Sequence, residues 1–444
     1  MSLRLRHGGR DAGNPPVVPG FGPTNGPQSV RDGTIPHAVT IPTGTFTTVN
    51  PGDNVATKIT AAGVNGKLWF TKGTYTSTGA SYAPLSGQQW YLESAAGYTR
   101  SATDSAVFNG NAQTPAIIQS GTATGVQIRG GVFTNHGNAA SEAFRGAIQH
   151  TNGAAAAGAD WLFEDAIIHT NVVRGIVPNG PGDILRRCYI HSNGRYGIGC
   201  GTTAAVSGGS TEYCRITNNN TNQVDTTFDA GGTKWTNFHD YAVQYCWFDN
   251  NYGSGCWFDG SNYNILIQEN VMDTNRHWGL FYEISGGGTT IKRNYFNGNG
   301  FGGGNSIFNE PQILISTCDG QSLAGSFPSI EVQQNQLIGS TMAIYLIDTA
   351  GHITGGYPAT RSVHVHDNDV RFTTTTVNRV GAGGNTTSDQ IFSRDNTFED
   401  NHYHSLDTSL AYWNWTGTTP GIGATKNWTE WKAYGHDQPG GTLD

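Results

Sequence analysis

"GCWFDGSNYNILIQENVMDTNRHWGLFYEIS", residues 255–285, says nearly the same thing twice: Gly-Cys-Trp-Phe-Asp returns twenty-four positions later as Gly-Leu-Phe-Tyr-Glu. Asp259 and Glu283 therefore share one phase of a repeat, each two residues after an aromatic. The segments "VQYCWFDNNYGSG" (243–255), "IQENVMDTNRHWG" (267–279) and "IKRNYFNGNGFGG" (291–303) align at the same step of twenty-four, through Val243/Ile267/Ile291, Asn251/Asn275/Asn299 and Gly255/Gly279/Gly303. The Asn-x-x-x-Gly step recurs at Asn171/Gly175 and Asn193/Gly197. Short β-prone runs at a period of 22 to 26 residues, with asparagine at a turn and glycine at the next strand's entrance, describe one rung of a parallel β-solenoid.

Counting back from the turn asparagines puts Cys188, Cys214 and Cys246 at one phase, where later rungs carry Asn270, Asn294, Asn335 and Asn368. These side chains are expected to form an inward ladder. Stacked rungs bring equivalent Cα atoms to ~4.8 Å, a spacing compatible with a disulfide or with buried free thiols. Six cysteines in 444 residues are too dilute for a disulfide scaffold, and no zinc-type spacing occurs.

Composition agrees with an all-β chain. Glycine accounts for 62 residues and charged residues for 13%, while Asn, Thr and Ser are abundant; this favours many short strands joined by polar turns. A formal net charge of −8 supplies no basic patch for a phosphate backbone, so nucleic acid is not an expected partner. No apolar run approaches the ~20 residues of a membrane span. The opening MSLRLRHGGRDAGNPP lacks the apolar core of a signal peptide, so standard export is expected only if a signal lies elsewhere.

The ends differ from the middle. Residues 1–40 are rich in Gly and Pro without periodicity and are expected to be an extended arm that needs a docking partner or the solenoid's flank to hold it. "NVATKITAAG" (54–63) is the best short helix and suits a cap over the first rung. Residues 41–405 are assigned to the solenoid and 406–444 to a cap rich in tryptophan (Trp413, Trp415, Trp428, Trp431); 373–388 reads as a loop.

At this point the chain resembles the right-handed parallel β-helix proteins of the pectate-lyase-like superfamily, and within it a bacterial and phage group whose rungs read Gly-x-Trp-x-Asp and Gly-x-x-x-Glu-Ile-Ser. The stretches that carry the likeness are "PGDNVATKITAAGVNGKLWFTKGTY", "DAGGTKW" (229–235), "GCWFD", "GLFYEIS" and "NWTEWKAYGHD", spread over residues 45–440. The resemblance implies a single-stranded right-handed β-helix with an N-terminal capping helix and an irregular C-terminal cap. It leaves function open among polysaccharide lyases, hydrolases, epimerases, phage tail spikes and members without activity. Group members often carry Glu where Asp229 stands, so the shorter acid alters reach rather than charge.

Alternation along a strand turns Trp257, Asp259, Phe281 and Glu283 outward if Cys256, Phe258, Leu280 and Tyr282 turn inward. Two acids then stack beside two aromatics. Like charges at that distance repel, so one carboxyl is expected to hold its proton, which suits general acid/base work, with the rings as a sugar platform. Carboxyls near ~5 Å apart match retaining glycosidases better than inverting ones. Counting eight residues back from Val243 reaches Trp235, with Lys234 beside it. The candidate catalytic set is Asp259, Glu283, Lys234 and Asp229, and the candidate substrate-binding set is Trp257, Phe281, Trp235 and His277. Gly199 and Gly201 leave a shallow floor, and Asp225 lies in an insertion able to reach over it. A structural reading stays open for each: the acids as an ion-pair cluster with Lys234, Trp257 beneath a loop, and Asp249 and Asp273 as turn residues.

Three classes remain. The leading one is a surface-glycan binding or processing β-helix displayed on a virion tail, usually a homotrimer in that setting. The second is a free extracellular polysaccharide lyase or hydrolase, with Ca²⁺ a possible cofactor of a lyase, although no calcium-loop signature is present. The third is a structural adhesin without catalysis.

Overall fold

The computed structural model describes residues 28–444 except 114, 138–144, 151–157, 202–204, 225, 227–228, 303–310, 320–328, 340–341, 350–351, 353–358, 376–379, 385–390, 392–393, 411 and 416–424. The expectations for residues 1–27 and for Asp225 lie outside the described residues.

Strands of two to five residues wind into a solenoid with three lateral faces. Two faces are sheets of thirteen strands each, and the third is built from a five-stranded and a seven-stranded sheet. Bridges Gly231↔Ser254 and Trp235↔Phe258 join those two into one wall. Pairing is parallel almost throughout, and Val243↔Ile267 and Ile267↔Ile291 sit in register as the repeat requires.

The asparagine repeat explains why the rungs stack in one register. Buried side-chain amides form a ladder in which Asn251 donates to Asn275 and Asn275 to Asn299, each at 2.9 Å. Each amide also donates to a backbone carbonyl, as Asn275 does to Phe248 at 3.0 Å, so the polar groups of this column are paired inside the core. The paired glycine is a consequence: a Cβ on Gly255 would lie 2.7 Å from Asn275 Nδ2, and one on Gly279 2.9 Å from Asn299 Nδ2. A second ladder runs from Asn270 through Asn294, Asn335 and Asn368 to Asn401 and Asp437. Cys188, Cys214 and Cys246 precede it at the same inward phase, all three as buried free thiols.

Both ends are closed. The helix Val55–Ala62, N-capped by Asn54, buries Val55 and Ile59 over the first rung, and Gln88 Nε2 takes up the carbonyls of Ile59 and Gly63 at 2.9 Å each. At the other end Trp413, Trp415 and Trp431 are buried, with Trp431 Nε1 donating to Asp437 at 2.7 Å. Two expectations need correction. The threonine-rich loop contains a strand, Val380–Gly384, which continues the lateral wall beside Ile344–Asp348. Residues 28–40 are not simply extended: the helix Gln28–Gly33 sets Val30 against Val271 and Tyr295, and Arg31 lies 4.5 Å from the centre of the Trp247 ring. From there the segment follows the flank back toward the first rung, through Thr34 to Tyr98 and Val39 to Ser94.

Candidate active site on the third wall

Strands Gly231–Lys234, Cys256–Asp259, Leu280–Glu283 and Ile313–Ser316 build the middle of the third wall. Cys256, Phe258, Leu280 and Tyr282 join the central core, so the intervening side chains face out. Asp259 pairs in register with Glu283, and Glu283 with Ser316. Lys234 reaches from the preceding rung to put Nζ 2.8 Å from Asp259 Oδ2, above the Trp257 ring at 3.8 Å from its centre.

The two acids sit in unequal surroundings. The Asp259 side chain is 23% exposed and holds the Lys234 ammonium, whereas Glu283 is 8% exposed. Burial, and after it the neighbouring Asp259 charge, push the Glu283 carboxyl well above its usual range; Lys234 and the Trp257 indole oppose this without overcoming it. The two acids are therefore unlike: burial favours the protonated form of Glu283, while Asp259 contacts the Lys234 ammonium, an asymmetry that acid/base chemistry can use. The next residue, Ile284, adopts φ 46°, a left-handed corner that costs a β-branched side chain about 1–3 kcal/mol.

Sequence reasoning missed His352. Its Nε2 lies 3.7 Å from Glu283 Oε1 and its Nδ1 3.3 Å from Thr317 Oγ1. Burial lowers its proton affinity, with Asp259 pulling the other way. The step of twenty-four could not reach it, because Glu283 to Ser316 spans 33 residues and Ser316 to Ile347 spans 31. The available signal was a histidine shortly after a strand of the same wall.

Several predicted positions differ from the expectation. Trp235 faces inward: it bridges Phe258 and stacks on that ring at 4.8 Å, fully buried. The count from Val243 failed because this corner is one residue shorter, eight from Trp235 to Val243 against nine from Phe258 to Ile267. Trp257 and Phe281 do stack on the outer side, at 5.1 Å, yet each is only 1% exposed. They pack with Trp278, Leu314, Met342 and Tyr345 in an outer apolar cluster, since bare aromatic surface is costly in water. They floor the site rather than present an open platform.

Asp229 and His277 belong to the other end of the strands. Asp229 ion-pairs with Arg195 and accepts from Tyr196 Oη at 2.9 Å, and His277 Nε2 is 2.5 Å from Thr226 Oγ1. The Gly199 floor is filled, because a Cβ there would meet Arg174 Cδ at 2.6 Å. Asp249 and Asp273 are salt-bridge partners, of Arg215 and Arg31 respectively. Among the described residues no group of three or more His, Cys, Asp or Glu is arranged to hold a metal ion. No helix among them is long and apolar enough to cross a membrane.

This architecture is a right-handed parallel β-helix, and residues 146–319 match the family described as "Right handed beta helix region". No curated protein matches the sequence. Among solved structures, the A-module of an Azotobacter vinelandii mannuronan C-5 epimerase aligns at TM-score 0.56 and 13% identity, over 88% of this chain and 93% of that one. A Thermotoga maritima exopolygalacturonase aligns at 0.41 and 10%, over 88% and 94%, and the Dettilon tailspike protein at 0.37 and 14%, over 79% and 70%. At these identities the likeness is one of fold.

Proposed function

We propose that the protein binds and processes a polysaccharide on the third wall, with Glu283 as general acid, Asp259 as its ionised partner and Lys234 as the group that holds that charge. The observation that carries this reading is the register pairing of Asp259 with a nearly buried Glu283. Burying one acid beside another costs the fold stability, whereas a reaction that must protonate a sugar oxygen gains from it. The wall itself is long and lateral, suited to a chain-like substrate, and the epimerase module that shares the fold is named for one such polymer. Display on a virion tail, or release to the cell exterior, with a homotrimer in the first case, is the setting we favour.

A panel of glycans scored both for unsaturated uronate absorbance and for new reducing ends separates lyase from hydrolase chemistry. Asp259→Asn and Glu283→Gln are each expected to cost on the order of 100-fold or more in rate. Full activity in both variants would sink the site. Mass measurement of the purified protein addresses the tail setting, against which a strict monomer with a dispensable arm would count.

A further inference from the structure

An acid as enclosed as Glu283 must exchange its proton with something. His352 is the titratable side chain that meets it from outside the stacked column. Its ring lies between the buried carboxyl and water, with 26% of the side chain exposed against 8% for Glu283. His352 N donates to Thr349 O at 3.0 Å. Thr317, fully buried, faces ring Nδ1 at 3.3 Å while its Oγ1 accepts the Thr349 N–H at 3.3 Å. When Nδ1–H donates to Thr317, Nε2 is left as an acceptor toward Glu283. The other charged groups of the cluster are Asp259 and Lys234, already paired with each other.

We propose that His352 is the proton-transfer partner of Glu283 and that Thr317 is a positioning residue that fixes the imidazole tautomer; this rests on the reading of Asp259 and Glu283 as the reacting pair. In the cycle, Glu283 gives its proton to a sugar oxygen and becomes a carboxylate. Nε2 of neutral His352 takes a proton from solvent, passes it to Glu283 Oε1 and returns to the neutral form, so the net change is one proton moved from water to the acid. The separation of 3.7 Å is of the kind that tightens to a hydrogen bond once substrate is bound.

Two measurements on the 444-residue chain test this. The first needs no substrate: the His352 ring is titrated by NMR in the wild type and in Glu283→Gln, and a shifted midpoint in the variant is expected. An unchanged midpoint overturns the pairing. The second is kinetic, on whichever glycan the panel identifies. His352→Gln is expected to lower kcat by about 100-fold with KM within about threefold. Thr317→Val should displace the pH profile, and Thr317→Ser should restore it. Near wild-type kcat in His352→Gln, with an unaltered pH profile, overturns the proposal while leaving the reading of the acids intact. A wild type that turns over no glycan, with ring coupling still present, overturns the reading and with it the catalytic role.

Discussion

Lys234 holds Asp259 at 2.8 Å while its ammonium rests on the face of Trp257, 3.8 Å from the ring centre. One cation thereby neutralises the outer acid and covers an aromatic that would otherwise face water. Replacing it with methionine keeps the stem and removes the charge. Lys234→Met should lower stability by about 1–3 kcal/mol, because Asp259 is left unpaired in a largely covered site, and should make Glu283 hold its proton more tightly still. A thermal melt that does not move would mean that the pair contributes nothing.

Glu283 sets a pH dependence with a definite sign. Its folded proton affinity is raised above the ordinary value of 4.5, so the native state binds more protons than the unfolded chain and stability falls as pH rises above that value. Glu283→Gln removes this loss. The variant should melt higher than the wild type at neutral and alkaline pH, with the gap closing below about pH 4. A lower melting point across the whole range would recast Glu283 as a structural residue.

A second dependence of the same sign, in a higher pH window, belongs to the outer face of a thirteen-stranded sheet. Glu331 bonds His364 at 3.2 Å and His366 at 3.1 Å. The Glu331 bond raises the proton affinity of His364; for His366, bonds to Glu331 and Asp367 outweigh the downward pull of burial. Groups with raised folded affinity contribute fully below the ordinary histidine value of 6.5 and lose that contribution as pH climbs through the folded values. Denaturation of His364→Gln/His366→Gln beside the wild type at pH 6 and pH 8 should show the wild-type advantage confined to the lower pH.

The asparagine ladder should be intolerant of interruption. Asn275→Ala strands the Phe248 carbonyl and the Asn251 amide inside the core, an expected loss of about 2–4 kcal/mol. Asn275→Asp should be as damaging, because an acceptor replaces the Nδ2 donor facing Asn299. Chemical denaturation measures both, and a surface change such as Thr274→Ser serves as the control.

All six cysteines are buried and unpaired. A thiol reagent should therefore find none in the folded protein and six after denaturation, whatever the redox state of the buffer. Fewer than six on unfolding would point to cross-linking within the Cys188, Cys214, Cys246 column.

The rungs were legible because backbone spacing and interior polarity leave a periodic mark. Val243, Ile267, Asn251 and Asn275 fall in register as counted, and Asp259 meets Glu283. Legibility stopped where the step changed length. One missing residue in a corner turned Trp235 inward, and rungs of 33 and 31 residues hid His352. The burial of Trp257 was unreadable for another reason: Leu314, Met342 and Tyr345, which cover it, are 57 or more positions away and carry no motif.

Each amide in the Asn251–Asn275–Asn299 column leans on the turn before it and the turn after it, so these rungs hold one another from both sides. A terminal rung lacks one of those neighbours, and a bare strand edge there would also invite another chain to add to it. The lifetime of the whole shaft is thus delegated to two small lids, the Val55–Ala62 helix and the tryptophan cluster around Asp437. Engineering for durability should begin at those extremities and leave the shaft alone.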